Sequence, residues 1–180
     1  MTSGRLSGKV AIVTGAGSGF GETIARTFVK EGAHVIIAEI NETSGRRVEQ
    51  DINNSDGEKA LFHKTDVTSK SGWESLLKAT LDKHDRLDIL VNNAGTTYAK
   101  KPSHEVTEDE WSKLIDINMK SIFLSIAVVV PQMKKQGAGI ILNTSSIGGL
   151  RVKEELVYYG ASKTFVNKVS GLEIDARYDH

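Results

Sequence analysis

Short apolar runs rich in β-branched residues alternate with amphipathic stretches along most of the chain. Residues 9–14 (KVAIVT), 34–39 (HVIIAE), 59–65 (KALFHKT), 87–91 (LDILV) and 139–143 (GIILN) have the length and composition of buried strands. Between them, apolar positions return every three or four residues, the period of a helix that buries one face. Residues 22–31 place Ile24, Phe28 and Val29 on one side and stop at Gly32. A polar helix is expected over 41–54, and another behind a Thr68 cap carries Trp73, Leu76, Leu77 and Leu81. Thr107 and Glu110 form a capping box for a long helix running to Met133, and a last helix covers 158–176. Apolar strands alternating with helices predict an α/β fold, a doubly wound parallel sheet with helices on both faces.

Composition narrows the classes without changing that picture. The 180 residues fit one domain (1–180), with no repeat or linker and only two prolines. Lys plus Arg balances Asp plus Glu at 23 each, so no electrostatic reason exists to expect nucleic acid or an anionic membrane as partner. The longest apolar run, 122–130, is about half of the ~20 residues a membrane span needs, and a buried helix is the expected reading. The N-terminal residues 1–8 show no signal-peptide core. Cysteine is absent, which excludes disulfides and thiolate chemistry and suits a reducing, cytoplasmic setting. His34, His63, His84, His104 and His180 are scattered, so no metal site is expected.

The first strand runs directly into Thr14-Gly15-Ala16-Gly17-Ser18-Gly19-Phe20-Gly21. Such a turn lets backbone N–H groups at a helix N-terminus approach a pyrophosphate. The spacing is T-G-x-x-x-G-x-G rather than G-x-G-x-x-G. Glu39 ends the second strand, 18 residues beyond Gly21, where a carboxylate would bond ribose hydroxyls. Its charge would repel the 2′-phosphate of NADP, which favours NAD.

At the other end stands Tyr159-Gly160-Ala161-Ser162-Lys163. Residues four apart on a helix project one turn apart on the same face. An ammonium ~4 Å away, at an effective dielectric of about 20, favours a phenolate by roughly 4 kcal/mol, enough to bring a phenol from ~10 to about 7. Ser146, Asn92-Asn93-Ala94-Gly95 and Asn118 follow or face the later strands, whose C-terminal ends line the ligand crevice of such a sheet.

The set TGAGSGFG (14–21), Glu39, Asp66-Val67, NNAG (92–95), Asn118, Ser145-Ser146 and YGASK (159–163) resembles the classical short-chain dehydrogenase/reductases, in order and in spacing. The resemblance spans residues 9 to about 175 and implies a Rossmann-type fold and an NAD(H)-dependent oxidoreductase that interconverts a secondary alcohol and a ketone. It implies catalytic roles for Asn118, Ser146, Tyr159 and Lys163. Cofactor contacts would come from Gly15, Gly17, Ser18, Gly19, Phe20, Gly21, Glu39, Asp66, Val67, Asn93, Ala94 and Gly95, with Tyr159 and Lys163. Ser145, Tyr158 and Asn92 would be structural neighbours. The long helices at 107–135 and 158–176 resemble those that form homodimers and homotetramers in the family. Relative to its pattern, a chain stopping at His180 lacks the last two strands. Two functions stay open at this level: turnover of a small alcohol or ketone, or a silent nucleotide-binding and dimerising module.

Overall fold

A computed structural model describes residues 4–170. Five strands, β1 (Val10–Thr14), β2 (His34–Glu39), β3 (Ala60–Lys64), β4 (Ile89–Asn92) and β5 (Ile140–Asn143), form one sheet in the order β3-β2-β1-β4-β5. Every pairing is parallel. The chain leaves β3 at one edge and re-enters beside β1, so the strand order reverses between β1 and β4. Crevices form at such reversals, outside the strand C-termini.

Among the described residues the six α-helices are α1 (Gly19–Lys30), α2 (Glu42–Asp56), α3 (Lys70–His84), α4 (Glu108–Ile115), α5 (Ser121–Gln136) and α6 (Val157–Val169). Alternation along β1 and β2 sends side chains to two cores. Ala11, Val13, Val35 and Ile37 pack against Ala25 and Val29 of α1 and Val48 and Ile52 of α2. Ile12, Ile36 and Leu90 pack against Trp73 and Leu76 of α3 and Leu124, Val129 and Met133 of α5. Burial on both faces explains why these strands read as continuous apolar runs.

Several boundaries differ from expectation, each for a local reason. Helix α1 starts at Gly19, inside the glycine turn, where extended Ser18 occupies the N-cap position without a side-chain hydrogen bond. Helix α3 is capped by Ser69, whose Oγ accepts the Gly72 N–H, whereas Thr68 turns back onto Asp66 Oδ1 at 2.7 Å. The Thr107–Glu110 capping box is present, and the long helix behind it passes through a π-helical turn at Asp116–Lys120. The stretch Glu108–Gln136 is long and apolar enough to cross a membrane by length and composition alone, contrary to the reading of 122–130 by itself. Its Ile122, Leu124, Val129 and Met133 are buried within the fold. The expected last helix is described to Val169, and its continuation to 176 lies outside the described residues.

Two histidines make stability depend on pH. Burial depresses the pKa of His63. Burial, then the charges of His34 and Lys83, does the same to His84. A base with a lowered folded-state pKa contributes stability above its unfolded value, near 6.5, and loses it as pH falls. Thermal melts from pH 7.5 to 5.5 should show a falling Tm, and the His63→Gln/His84→Gln double variant should show a shallower fall. Parallel curves would remove both residues from the account.

Candidate active site

The glycine turn leads from β1 into α1. Gly19 has φ +56° and open space where a Cβ would stand, so the backbone here can meet a ligand directly. Gly21 serves the opposite purpose. A Cβ there would lie 2.2 Å from the Gly15 carbonyl oxygen and 2.6 Å from Asn93 Nδ2, so the helix approaches the sheet only because the side chain is missing. Ser18 makes no side-chain cap to α1, which leaves the first-turn N–H groups facing the crevice. That end of the helix attracts anions.

A cleft of about 610 Å³ opens over this turn. Of the residues expected from sequence, Gly15, Ser18, Gly19, Phe20, Glu39, Asp66, Val67, Asn93, Ala94 and Gly95 line it. Gly17 and Gly21 do not; they shape the wall from behind. The Gly17 N–H donates to Glu39 Oε2 at 3.1 Å, and its carbonyl accepts from Arg47 at 3.1 Å. Glu39 therefore also holds the turn, with Oε1 accepting the Asn41 N–H at 3.0 Å. Arg47 in turn grips Glu22. That hydrogen bond, with help from Arg26 and against the cost of burial, keeps the Glu22 carboxyl below the usual range.

Thr65, Thr68, Ile40 and Ile117 also line the cleft and were missed from sequence. Thr65 lies just past β3, so the strand-end rule could have found it. Ile117 reaches the cleft from the π-helical turn, which no local pattern announces. Asp66 Oδ1 is occupied in part by the Thr68 N–H at 2.9 Å.

The NNAG segment and the glycine turn hold each other. Thr14 Oγ1 accepts the N–H groups of Asn93 and Ala94, both at 3.0 Å, while Asn93 Nδ2 donates to the Thr14 carbonyl at 3.0 Å. Asn92 donates to Ser125 Oγ of α5 and to Asn143 Oδ1 of β5, bracing the sheet.

Behind Gly95, at the wall of the cleft, stands the amine of Lys163 from α6. A Cβ on Gly95 would stand 3.5 Å from Asn118 Oδ1 and 3.6 Å from Lys163 Nζ, so both groups converge behind this glycine. Lys163 is only 6% exposed; its ammonium donates to the Thr144 carbonyl at 2.7 Å, and burial lowers its pKa. Asn118, buried in the π-helical turn, donates to the Thr96 carbonyl and to Ser162 Oγ at 3.0 Å each and accepts the Thr96 N–H at 2.8 Å. π-Helical turns concentrate at functional sites because they re-aim a side chain without ending the helix.

Ser146 follows β5 and caps a short 3₁₀ turn, Ile147–Gly149, its Oγ accepting the Gly148 N–H at 3.2 Å. A Cβ on Gly148 would lie 3.6 Å from Ser146 Oγ and 3.6 Å from Tyr159 Cε1, so the hydroxyl and the phenol ring flank the same glycine. Ser145 Oγ instead donates to the Lys163 carbonyl, a structural contact. Ser162, which sequence reasoning passed over, links Asn118 to the Tyr159 carbonyl. An amide and a buried ammonium thus meet behind Gly95 at the cleft wall, and a hydroxyl and a phenol ring meet at Gly148. Among the described residues no group of three or more His, Asp or Glu could hold a metal ion.

The model of the short chain dehydrogenase family matches residues 9–172. A short chain dehydrogenase/reductase of Aspergillus oryzae is 39% identical over 159 residues, which are 88% of this chain and 61% of that protein. A cyclopentanol dehydrogenase of Comamonas testosteroni is 38% identical over 160 residues, 89% of this chain and 63% of the relative. The chain thus spans about three fifths of the length of these two proteins. The crystal structure of a 3-ketoacyl-(acyl-carrier-protein) reductase from Brucella melitensis complexed with NADH superposes with a TM-score of 0.87 at 35% identity, covering 92% of this chain and 68% of that one. The parallel sheet, the paired TGxxxGxG and NNAG turns and the match over nearly the whole sequence agree, and the chain belongs to the short-chain dehydrogenase family.

Proposed function

We propose that the protein is an NAD(H)-dependent oxidoreductase that interconverts a secondary alcohol and a ketone. The observation that carries this reading is a pair of juxtapositions: Ser146 Oγ and the Tyr159 ring flank Gly148, while Lys163 Nζ and Asn118 Oδ1 stand behind Gly95, which lines the nucleotide-sized cleft. The cleft fits a dinucleotide: its volume is in the range of ligand pockets, and the N-terminus of α1 has no side-chain cap and opens with Gly19, beside which the space for a Cβ is empty. The solved relative bound to NADH supports the same choice of cofactor class.

The first turn of α1 would hold the pyrophosphate, Asp66 and Val67 would flank the adenine, and Glu39 would accept from the adenosine ribose. Each Glu39 oxygen already accepts one backbone N–H and keeps a lone pair for a hydroxyl. When bound, the nicotinamide supplies the acceptor or donor of the hydride. Oxidation removes a hydride from the carbinol carbon and a proton from its hydroxyl; Ser146 holds that oxygen and Tyr159 takes the proton. Lys163 has three N–H donors and spends one on Thr144, leaving two for a ribose hydroxyl and a water beside Asn118. Reduction runs the same groups in reverse.

Glu39→Ala tests the cofactor assignment. NAD affinity should fall by roughly tenfold, the worth of one charge-assisted hydrogen bond, and discrimination against NADP should weaken. An unchanged NAD-to-NADP ratio would reduce Glu39 to a brace for Gly17.

Self-association belongs to the same reading. Trp111 and Phe123 are 45% and 62% exposed along the Glu108–Gln136 stretch, large apolar side chains that a second copy would cover in a homodimer or homotetramer. Cofactor binding without turnover would favour the alternative, a nucleotide-binding and dimerising module.

A further inference from the structure

Helix α6 carries Tyr159 in its first turn, yet it begins without a local cap. Leu156 occupies the N-cap position and makes no side-chain hydrogen bond to the helix. First-turn N–H groups need acceptors from elsewhere or they fray. One comes from far along the chain: the phenolic oxygen of Tyr98 accepts the Tyr158 N–H at 3.1 Å. Tyr98 is 8% exposed, and its ring packs with Leu114 of α4 and with Leu156.

Tyr98 lies on the loop that continues from Gly95, so one segment both walls the cleft and touches the helix. That loop is tied to α6 at a second level, since Asn118 bonds Thr96 on one side and Ser162 on the other. Lys101 N–H adds a weaker tie to the Glu155 carbonyl at 3.4 Å. Each of the two principal anchors sits one residue before a reacting group. Tyr158 immediately precedes Tyr159, and Ser162 immediately precedes Lys163. Lys163 also has its own hold on Thr144. Tyr159 lies in the first turn, where a helix opens unless its N–H groups find acceptors, and next to the residue that Tyr98 holds.

We infer that Tyr98 is a positioning residue: its hydroxyl acts as a remote N-cap for α6 and fixes Tyr159 relative to the wall of the cleft. The catalytic part of this inference rests on the proposed oxidoreductase reading. Small displacements of a proton-transfer group are costly to turnover and leave distant binding contacts untouched.

The test is Tyr98→Phe, which keeps the ring in its apolar cluster and removes only the acceptor. Amide hydrogen exchange, read without cofactor, should speed up about tenfold at Tyr158 and Tyr159 as the first turn opens. The value of kcat should drop roughly tenfold, while the NAD dissociation constant and KM stay within about twofold. Unchanged exchange would show that Tyr98 caps nothing. Faster exchange with undiminished kcat would leave a cap with no bearing on catalysis and overturn the inference. A joint loss of kcat and NAD affinity would point to general damage and overturn it too. A wild-type protein that binds NAD and never turns over would sink the functional reading and the catalytic role with it, while the exchange result would still judge the cap.

Discussion

Tyr159→Phe should lower kcat by roughly a thousandfold or more, the scale of losing a positioned acid/base, and leave NAD affinity within about threefold. A thousandfold corresponds to about 4 kcal/mol of lost transition-state stabilisation. The substitution removes one oxygen and keeps the ring, which packs against the cluster of Tyr98, Leu114 and Leu156. Stability should therefore hold. The residues expected to bind adenosine, Glu39, Asp66 and Val67, line the cleft, and Tyr159 is not among the lining residues. Steady-state kinetics beside calorimetric NAD titration would separate the two effects. Full activity in the variant would remove the phenol from the chemistry and leave Ser146 and Lys163 without a proton partner.

Gly21→Ala should unfold α1 from the sheet or displace it. Two effects oppose each other here. Alanine is the better helix former by about 1 kcal/mol. Against that, the new methyl would meet the Gly15 carbonyl oxygen at 2.2 Å and Asn93 Nδ2 at 2.6 Å. The first is backbone in the glycine turn, and the second is held by bonds to the Thr14 and Gly15 carbonyls. Neither can move without breaking the turn. Clashes of this kind cost about 4 kcal/mol or more, so Tm should fall by roughly 10 °C in a domain of this size. NAD binding should be lost in whatever folded fraction survives. A variant melting within about 2 °C of wild type, with intact NAD binding, would show that α1 does not approach β1 so closely.

Much of this architecture was legible in the order of residues. Five apolar runs gave five strands, because a parallel sheet covered on both faces writes its burial into uninterrupted sequence. TGAGSGFG, Glu39, Asp66-Val67 and NNAG each sit at a strand end, and strand ends converge on one edge, so their meeting in a single cleft followed from topology. The offset of four between Tyr159 and Lys163 placed both groups one helical turn apart.

Contacts across long sequence separations were not legible. Nothing near Asn118 announces a π-helical turn, because that turn is stabilised by Thr96 and Ser162, 22 and 44 residues away. Nothing in Leu156 reveals that its helix is capped by Tyr98. Glu39 reads as a ribose ligand and is also the acceptor for Gly17, and Gly21 reads as a ligand contact and is also a packing contact. Local periodicity and backbone preference, properties of neighbouring residues, determined the elements and the family's motifs. Which hydrogen-bond partner each polar group found, and so which group is free for chemistry, was decided only when the assembled sheet brought distant segments within about 3 Å of one another.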